Sequence, residues 1–228
     1  MTHIKDNLTT VELQISQACQ LAHRSIDEVC LLAVSKTKSA TLIQQAYNCG
    51  QRAFGESYIQ EAVEKIQQLN HLKDIVWHFI GPIQSNKTRL ITDNFSWVHS
   101  VDREKIITRL NEHRSNQDTP LNVCLQVNIS DEKAKSGINV NELAEFSALV
   151  DQCEHLTLRG LMAIPKKNDS IQSFNEMSKL FNELKQQYPT VDTLSMGMSG
   201  DLTDAIANNS TMVRIGTAIF GEREPATG

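Results

Sequence analysis

A lysine at the end of an apolar run is the first residue of this chain whose position indicates chemistry. The stretch Leu31–Lys38 reads Leu-Leu-Ala-Val-Ser-Lys-Thr-Lys, which is typical of a strand buried on both faces and ending near Ser35. Side-chain alternation places Lys36 on the same side as Leu32 and Val34. An amine desolvated there suits Schiff-base chemistry with a carbonyl compound. The alternative is that Lys36 lies just past the strand and points into water.

Two turns rich in glycine and hydroxyl side chains could hold an anion. One covers Met196–Asp201, where Ser199 is placed to cap the next helix. The other covers Arg214–Thr217, in which Gly216 and Thr217 offer backbone N–H groups and a hydroxyl. If the turns are neighbours, they could hold one phosphate dianion. Plain capping and turning would explain either turn alone.

Arg214 interrupts the apolar run from Met212 to Ile215, where a guanidinium needs a partner. It could close a structural ion pair, or it could face a ligand. A lysine, a phosphate cup and an arginine beside that cup match the groups that bind pyridoxal 5'-phosphate (PLP). A permanently charged arginine at the pyridine nitrogen would weaken the ring as an electron sink, which favours binding or limited chemistry.

Other polar residues at predicted strand ends could contact the ligand. His78 lies between Trp77 and Phe79, where a hydrogen-bonded core histidine is the alternative. No H-E-x-x-H spacing occurs, so we predict no metal. Small basic clusters at Lys133, Lys135, Lys166 and Lys167 are predicted to be solvated loops. The candidate cofactor-binding residues are Lys36, Ser57, His78, Met198, Ser199, Arg214, Gly216 and Thr217, and further strand-end candidates are Glu56, Tyr58, Gly81, Gln126, Asn128 and Met162.

A regular alternation of apolar runs and amphipathic stretches must position these residues. After an amphipathic helix at Leu8–Arg24, eight strand–helix pairs follow without a low-complexity linker. This predicts a single α/β domain over residues 1–228, a closed (β/α)8 barrel of the TIM type with an extra N-terminal helix. An open doubly wound sheet is the alternative, although the common nucleotide-binding glycine motifs are missing. The predicted strands are Cys30–Ser35, Arg52–Gly55, Ile75–Ile80, Phe95–Ser100, Asn122–Asn128, Leu156–Ile164, Thr193–Met196 and Met212–Ile215.

A barrel would bring the candidate residues to one rim. In such barrels the chemistry lies at the carboxyl ends of the strands, and phosphate often binds in the loops after strands seven and eight. Lys36 follows the first predicted strand, and the two turns follow the seventh and eighth. We therefore expect the lysine and the phosphate cup to share one site.

The composition of the chain indicates which partners it is not expected to bind and in which compartment it is expected to work. A formal net charge of -5 over 228 residues gives no general attraction to nucleic acid or to an anionic membrane. The five cysteines are scattered and form no C-x-x-C pair, so neither a disulfide framework nor a zinc ribbon is expected. No apolar signal core or membrane-length segment is visible, and we expect a cytoplasmic protein.

Six blocks stand out in order along nearly the whole chain: Ala33–Lys38, Phe54–Glu56, Trp77–Lys87, Leu158–Met162, Leu194–Ser199 and Val213–Gly221. Together they resemble the pyridoxal-phosphate homeostasis protein family, which is similar to the N-terminal barrel domain of alanine racemase. The resemblance implies a PLP aldimine on Lys36, phosphate contacts from Ser199, Gly216 and Thr217, and Arg214 at the pyridine nitrogen. One departure is Ser57, where the family usually has asparagine, so a contact made by that amide is in doubt.

Three functions remain open at this stage. The resemblance implies a non-catalytic carrier or buffer of PLP, with apo-enzymes as possible recipients and no catalytic residue. Separately, we expect a monomer. A PLP-dependent enzyme such as an amino-acid racemase is the alternative, but it needs acid–base groups on both faces of the cofactor. Tyr58 is the only tyrosine near a predicted strand end. A cofactor-free Schiff-base aldolase acting on a sugar phosphate is the third hypothesis.

Overall fold

Eight parallel strands close into a barrel in the order in which they occur along the chain. The computed structural model describes residues 3–130, 136–165 and 170–222. Each strand pairs with the next in sequence, and the last pairs with the first. The strands are β1 (Cys30–Val34), β2 (Ala53–Glu56), β3 (Val76–Phe79), β4 (Trp97–Val101), β5 (Leu121–Gln126), β6 (Leu156–Met162), β7 (Thr193–Ser195) and β8 (Met212–Ile215).

Helices connect the strands and cover the outside of the barrel. Each presents an apolar face to the sheet, as when Ile43 and Ala46 bury one side of the helix after β1. Short 3₁₀ turns at Ser85–Lys87 and Val140–Glu142 precede two of the helices. The helices are α1 (Ile4–Leu21), α2 (Ala40–Asn48), α3 (Ile59–Gln68), α4 (Thr88–Asn94), α5 (Glu104–Arg114), α6 (Leu143–Asp151), α7 (Ser170–Gln187), α8 (Leu202–Ala207) and α9 (Thr217–Phe220).

Strand register decides which side chains enter the barrel interior. Leu32 of β1 pairs with Arg214 of β8, and Gly55 of β2 pairs with His78 of β3. A Cβ at Gly55 would lie 3.2 Å from side-chain carbons of Leu32 and of Ile80, so these three residues face the same interior. The interior is therefore packed with side chains, and Arg214 and His78 are part of that packing.

The N-terminal helix α1 lies outside the repeating pattern and packs against α8 and α9. Its buried residues Ile4, Leu8, Val11 and Ile15 recur every three or four positions and form its apolar stripe. The Asn7 amide Nδ2 donates to the Ile219 carbonyl at 2.8 Å. Helix α1 thus holds α9, the short helix that opens directly after β8.

The structure confirms the predicted (β/α)8 barrel with its N-terminal helix, and the open doubly wound sheet is wrong. Every predicted strand is present, with ends displaced by at most two residues. Helix α1 begins at Ile4 and not at the predicted Leu8, because its polar first turn conceals the start of the pattern. Within the described ranges, no helix combines the length and apolarity needed to cross a membrane.

Candidate functional site

One cavity of about 350 Å³ at the carboxyl-terminal rim holds most of the candidate residues. It forms where β1, β7 and β8 end side by side, since β8 pairs with both neighbours. Among the described residues that line it, none is Asp, Glu, His, Cys or Tyr. The predicted residues that line it are Lys36, Ser57, Met198, Ser199, Arg214, Gly216 and Thr217, and Val34, Ile80, Met162, Ile164 and Gly200 complete the wall.

Lys36 reaches this cavity from the loop that follows β1. The Ser35 N–H donates to the Gly55 carbonyl at 2.9 Å, which continues strand pairing one residue past the end of β1. The side chain of Lys36 therefore lies on the interior side of the barrel, as side-chain alternation along β1 predicts, and it is half-buried. The alternative of a lysine pointing into bulk water does not agree with this placement.

The two glycine-containing turns meet across the β7–β8 edge of the cavity. Helix α9 begins at Thr217, and the first N–H groups of a helix have no acceptor inside it. A Cβ at Gly216 would lie 3.1 Å from the Val34 carbonyl oxygen, so this turn needs a small residue next to β1. The opposite turn contributes Ser199, which is exposed at the rim. Backbone N–H groups and hydroxyls arranged in this way suit an anion such as phosphate.

The prediction that Ser199 caps the helix after β7 is wrong. Helix α8 begins at Leu202, and its N-cap residue is Asp201. The Asp201 carboxylate accepts a hydrogen bond from the Met198 N–H at 2.6 Å, which closes the turn on itself. Ser199 therefore lies two residues before the N-cap residue, where it lines the cavity.

Arg214 lies at the base of the cavity and is almost fully buried. Its NH1 donates to the Ser195 carbonyl at 2.6 Å and to the Ser195 hydroxyl at 2.9 Å, and its NH2 donates to the Ala163 carbonyl at 2.9 Å. A guanidinium has five N–H groups, so two have no acceptor among the described residues. Burial lowers the pKa of Arg214 to about 10, which leaves it charged at neutral pH.

A chain of hydrogen bonds runs from Arg214 through the barrel interior. Ser195 Oγ lies 2.9 Å from His99 Nδ1, and His99 Nε2 lies 2.9 Å from His78 Nδ1. Because the arginine can only donate, Ser195 accepts from it and can give its own hydrogen to His99, which in turn donates to His78. Burial lowers the pKa of His78 to about 3 and that of His99 well below its ordinary value, so both rings are neutral.

His78 is the one candidate that the structure separates from the others. It lies in the barrel interior and lines a different cavity, at the amino-terminal ends of the strands, together with Trp97 and Arg159. A direct cofactor contact from His78 therefore does not agree with its position. The hydrogen-bonded core histidine, which was the alternative, does agree, and the hydrogen-bond chain connects His78 to Arg214 at the base of the rim cavity.

The further strand-end candidates are distributed around the rim. Met162 lines the cavity, whereas Gln126 and Asn128 line a neighbouring space beyond Ile164. Glu56 is buried on the outer face of the sheet, and Tyr58 lies at the N-terminus of α3 with 49% of its surface exposed. The basic residues Lys133, Lys135, Lys166 and Lys167 lie outside the described residues. In the part of the chain that the structure describes, no group of three or more acidic, cysteine or histidine side chains could hold a metal ion.

Sequence reasoning missed residues that do not line the cavity but form hydrogen bonds to the residues that do, or to the backbone beside them. Ser195 and His99 support Arg214, and alternation along β7 and β4 places both in the interior. Lys65 and Glu61 of α3 bond to the backbone beside Lys36. Lys65 lies among the apolar positions of its helix with Ile59 and Ala62, and that was the signal which could have identified it.

Comparison with known proteins agrees with this geometry. The family model of the alanine racemase N-terminal domain matches residues 8–224. A pyridoxal phosphate homeostasis protein of Pasteurella multocida is 51% identical over 228 residues, covering 97% of this chain and 98% of that protein. The protein of that name from Escherichia coli K12 is 51% identical over 230 residues, with 98% of each chain covered.

Solved structures share the fold. PipY of Synechococcus elongatus PCC7942, solved without PLP, is 34% identical with a TM-score of 0.84, covering 96% of this chain and all of that chain. The same protein with PLP bound gives a TM-score of 0.76 and covers 91% of this chain. An alanine racemase of Clostridium difficile is 14% identical, with a TM-score of 0.73 over 97% of this chain and 58% of the racemase, and shares the fold alone.

Proposed function

We propose a function from one premise: the chain belongs to the pyridoxal phosphate homeostasis protein family, which has the fold of the alanine racemase N-terminal domain. The protein binds PLP reversibly at Lys36 and holds it as a reserve, without catalysing a reaction of its own. The observation that carries this proposal is the meeting of Lys36, Arg214 and the two glycine-containing turns in one cavity.

The residues present fit this cofactor group by group. The two turns offer uncharged donors to the phosphate, and the described lining contains no carboxylate that would repel it. Lys36 offers a primary amine from the neighbouring strand end. Arg214 lines the same cavity, and two of its N–H groups have no acceptor among the described residues.

PLP would supply an aldehyde, and Lys36 would offer the primary amine with which that aldehyde condenses, releasing water. Arg214 would hold the pyridine nitrogen; because it stays charged, it would keep that nitrogen unprotonated and weaken the ring as an electron sink. Hydrogen bonds to Ser195 and Ala163 hold the guanidinium in place for this contact. The arrangement favours storage of the cofactor over carbanion chemistry.

The racemase alternative lacks its second proton-transfer group. Among the described lining residues, Lys36 and Arg214 are the only ones with an acidic or basic side chain, and Arg214 stays charged. Tyr58 is half exposed and does not line the cavity. Two-base racemisation needs a group on each face of the cofactor, so we propose that the pure protein does not turn over amino acids.

The test is to identify the lysine that captures the cofactor. The protein is mixed with PLP, reduced with borohydride, digested and analysed by mass spectrometry, and we expect the adduct on Lys36. Lys36→Ala should lose the visible absorbance band and the adduct while keeping the fold. Lys38→Ala is the matched control, since its ammonium donates to the Glu222 carbonyl and does not line the cavity. An adduct on another lysine would overturn the proposal.

The remaining expectations are parts of the same proposal. We propose that apo forms of PLP-dependent enzymes receive the cofactor, and that the protein acts as a monomer in the cytoplasm. To test the transfer, the PLP-loaded protein is mixed with an apo-enzyme, and the recovery of that enzyme's activity is measured. Sedimentation analysis of the pure protein measures its oligomeric state.

A further inference from the structure

Two side chains of α3 hold the backbone on both sides of Lys36. Lys65 Nζ donates to the Ser35 carbonyl at 2.8 Å, and the Thr37 N–H donates to Glu61 Oε1 at 2.6 Å. Both contacts come from the outer face of the sheet, and neither Lys65 nor Glu61 lines the cofactor cavity. The backbone is therefore held by a hydrogen bond on each side of Lys36, at residue 35 and at residue 37.

The contacts belong to a buried cluster of charges. The Lys65 ammonium also donates to Glu56 Oε1 at 2.9 Å and to Glu61 Oε1 at 2.5 Å, which occupies all three of its N–H groups. The Ser35 hydroxyl donates to Glu56 Oε1 at 2.6 Å. The side chains of Lys65 and Glu56 are 7% and 0% exposed. Burying ions is costly and is weak evidence of a stabilising role, so the cluster calls for another explanation.

Backbone strain at Thr37 points in the same direction. Thr37 has φ of 63°, a left-handed conformation that a β-branched residue rarely adopts. Strain of this kind persists only where the surroundings impose it, and it is concentrated at functional sites. Here the Glu61 carboxylate accepts the N–H of that residue, and the Lys38 N–H donates to the Ser35 carbonyl across it.

We propose that Glu56, Glu61 and Lys65 are positioning residues that fix the backbone of Lys36, so that its amine is aimed into the cavity before PLP arrives. They act only through residues 35 and 37 and do not touch the cofactor. The proposal rests on the proposed function, because an aimed amine matters only if Lys36 captures the aldehyde. Preorganising a nucleophile speeds bond formation without changing contacts to the rest of the ligand.

Two sets of substitutions each remove one of the two direct contacts to the backbone beside Lys36. Glu61→Ala removes the acceptor of the Thr37 N–H from a partly exposed position. Glu56→Gln/Lys65→Met removes the donor to the Ser35 carbonyl while removing one negative and one positive charge, and Glu56 Oε2 already has no partner in the described chain. Glu64→Ala, an exposed change on the same helix, is the matched control.

The measurement separates capture from binding. The rate of covalent capture of PLP is followed by absorbance, and the affinity for pyridoxine 5'-phosphate, which has no aldehyde, is measured in parallel. We expect capture to slow by about tenfold or more in both releasing variants, with affinity for the analogue unchanged within about twofold. Capture at the wild-type rate, or an equal loss of capture and analogue affinity, would overturn the positioning role. Failure of the wild-type protein to capture PLP at Lys36 would instead overturn the proposed function.

Discussion

At the scale of single residues, Arg214 is held by the barrel and also lines the cavity in which we propose that PLP binds. Its three hydrogen bonds go to Ser195 and Ala163. We predict that Arg214→Glu weakens binding of PLP by at least about tenfold, because a carboxylate would face carbonyl oxygens and the phosphate turns. Arg89→Glu makes the same charge change on the surface and is the control. Fluorescence titration measures both, and unchanged affinity would remove Arg214 from the site.

The Ser195 hydroxyl allows a milder test of the same arginine. Ser195→Ala deletes one acceptor of the guanidinium and the partner of His99 Nδ1, but it keeps the carbonyl that also accepts from Arg214. We expect the free energy of unfolding to fall by about 1–3 kcal/mol, because one N–H of Arg214 and the Nδ1 atom of His99 each lose a buried partner. Urea denaturation measures this, and an unchanged midpoint would show that the hydrogen-bond chain contributes nothing to stability.

At the scale of elements, the site depends on how closely the loops after β2 and β3 approach. A Cβ at Gly81 would lie 2.1 Å from the Ser57 carbonyl oxygen, so that only glycine fits where the two loops cross. Gly81→Ala must push Ser57 away, and we predict a loss of about 3 kcal/mol in the free energy of unfolding. Gly200→Ala, whose Cβ would meet no atom within 4 Å, is the control for stability. Equal stability of the two variants would contradict the close approach.

At the scale of the whole molecule, two neutral histidines make stability depend on pH. An unfolded histidine binds a proton below pH of about 6.5, whereas burial lowers the pKa of His78 to about 3 and also lowers that of His99. Between these values the unfolded chain binds protons that the folded chain excludes. The free energy of unfolding therefore falls with falling pH, by about 1.4 kcal/mol per pH unit for each histidine.

The prediction can be measured by urea denaturation at several values between pH 7 and pH 4. The double variant His78→Gln/His99→Gln keeps hydrogen-bonding groups in the interior but cannot titrate, so its stability should vary less over that range. A variant with the same dependence as the wild-type protein would place the acid sensitivity elsewhere.

Most of the architecture was predictable because local patterns specify it. Apolar runs of strand length alternate with amphipathic helices eight times, and right-handed crossovers turn such a pattern into parallel strands. The rim that carries the site follows from that count, since carboxyl ends of barrel strands lie together. Seven of the eight candidate residues line one cavity for this reason. The assignments of these residues to the cofactor stay predictions until the adduct is mapped.

The sequence by itself determined the barrel, its rim and the types of group at the end of each strand, because these depend on periodicity and on neighbours along the chain. Only the tertiary structure decided which other polar residues form hydrogen bonds to the groups at the strand ends. His78 faces the interior near the opposite end, and Lys65 reaches across from a helix to the backbone beside Lys36. Such partners are 30 to 96 residues apart in the chain, as with Lys65 and Ser35 or His99 and Ser195. Their contacts arise from strand register and from helix packing, which no local pattern records.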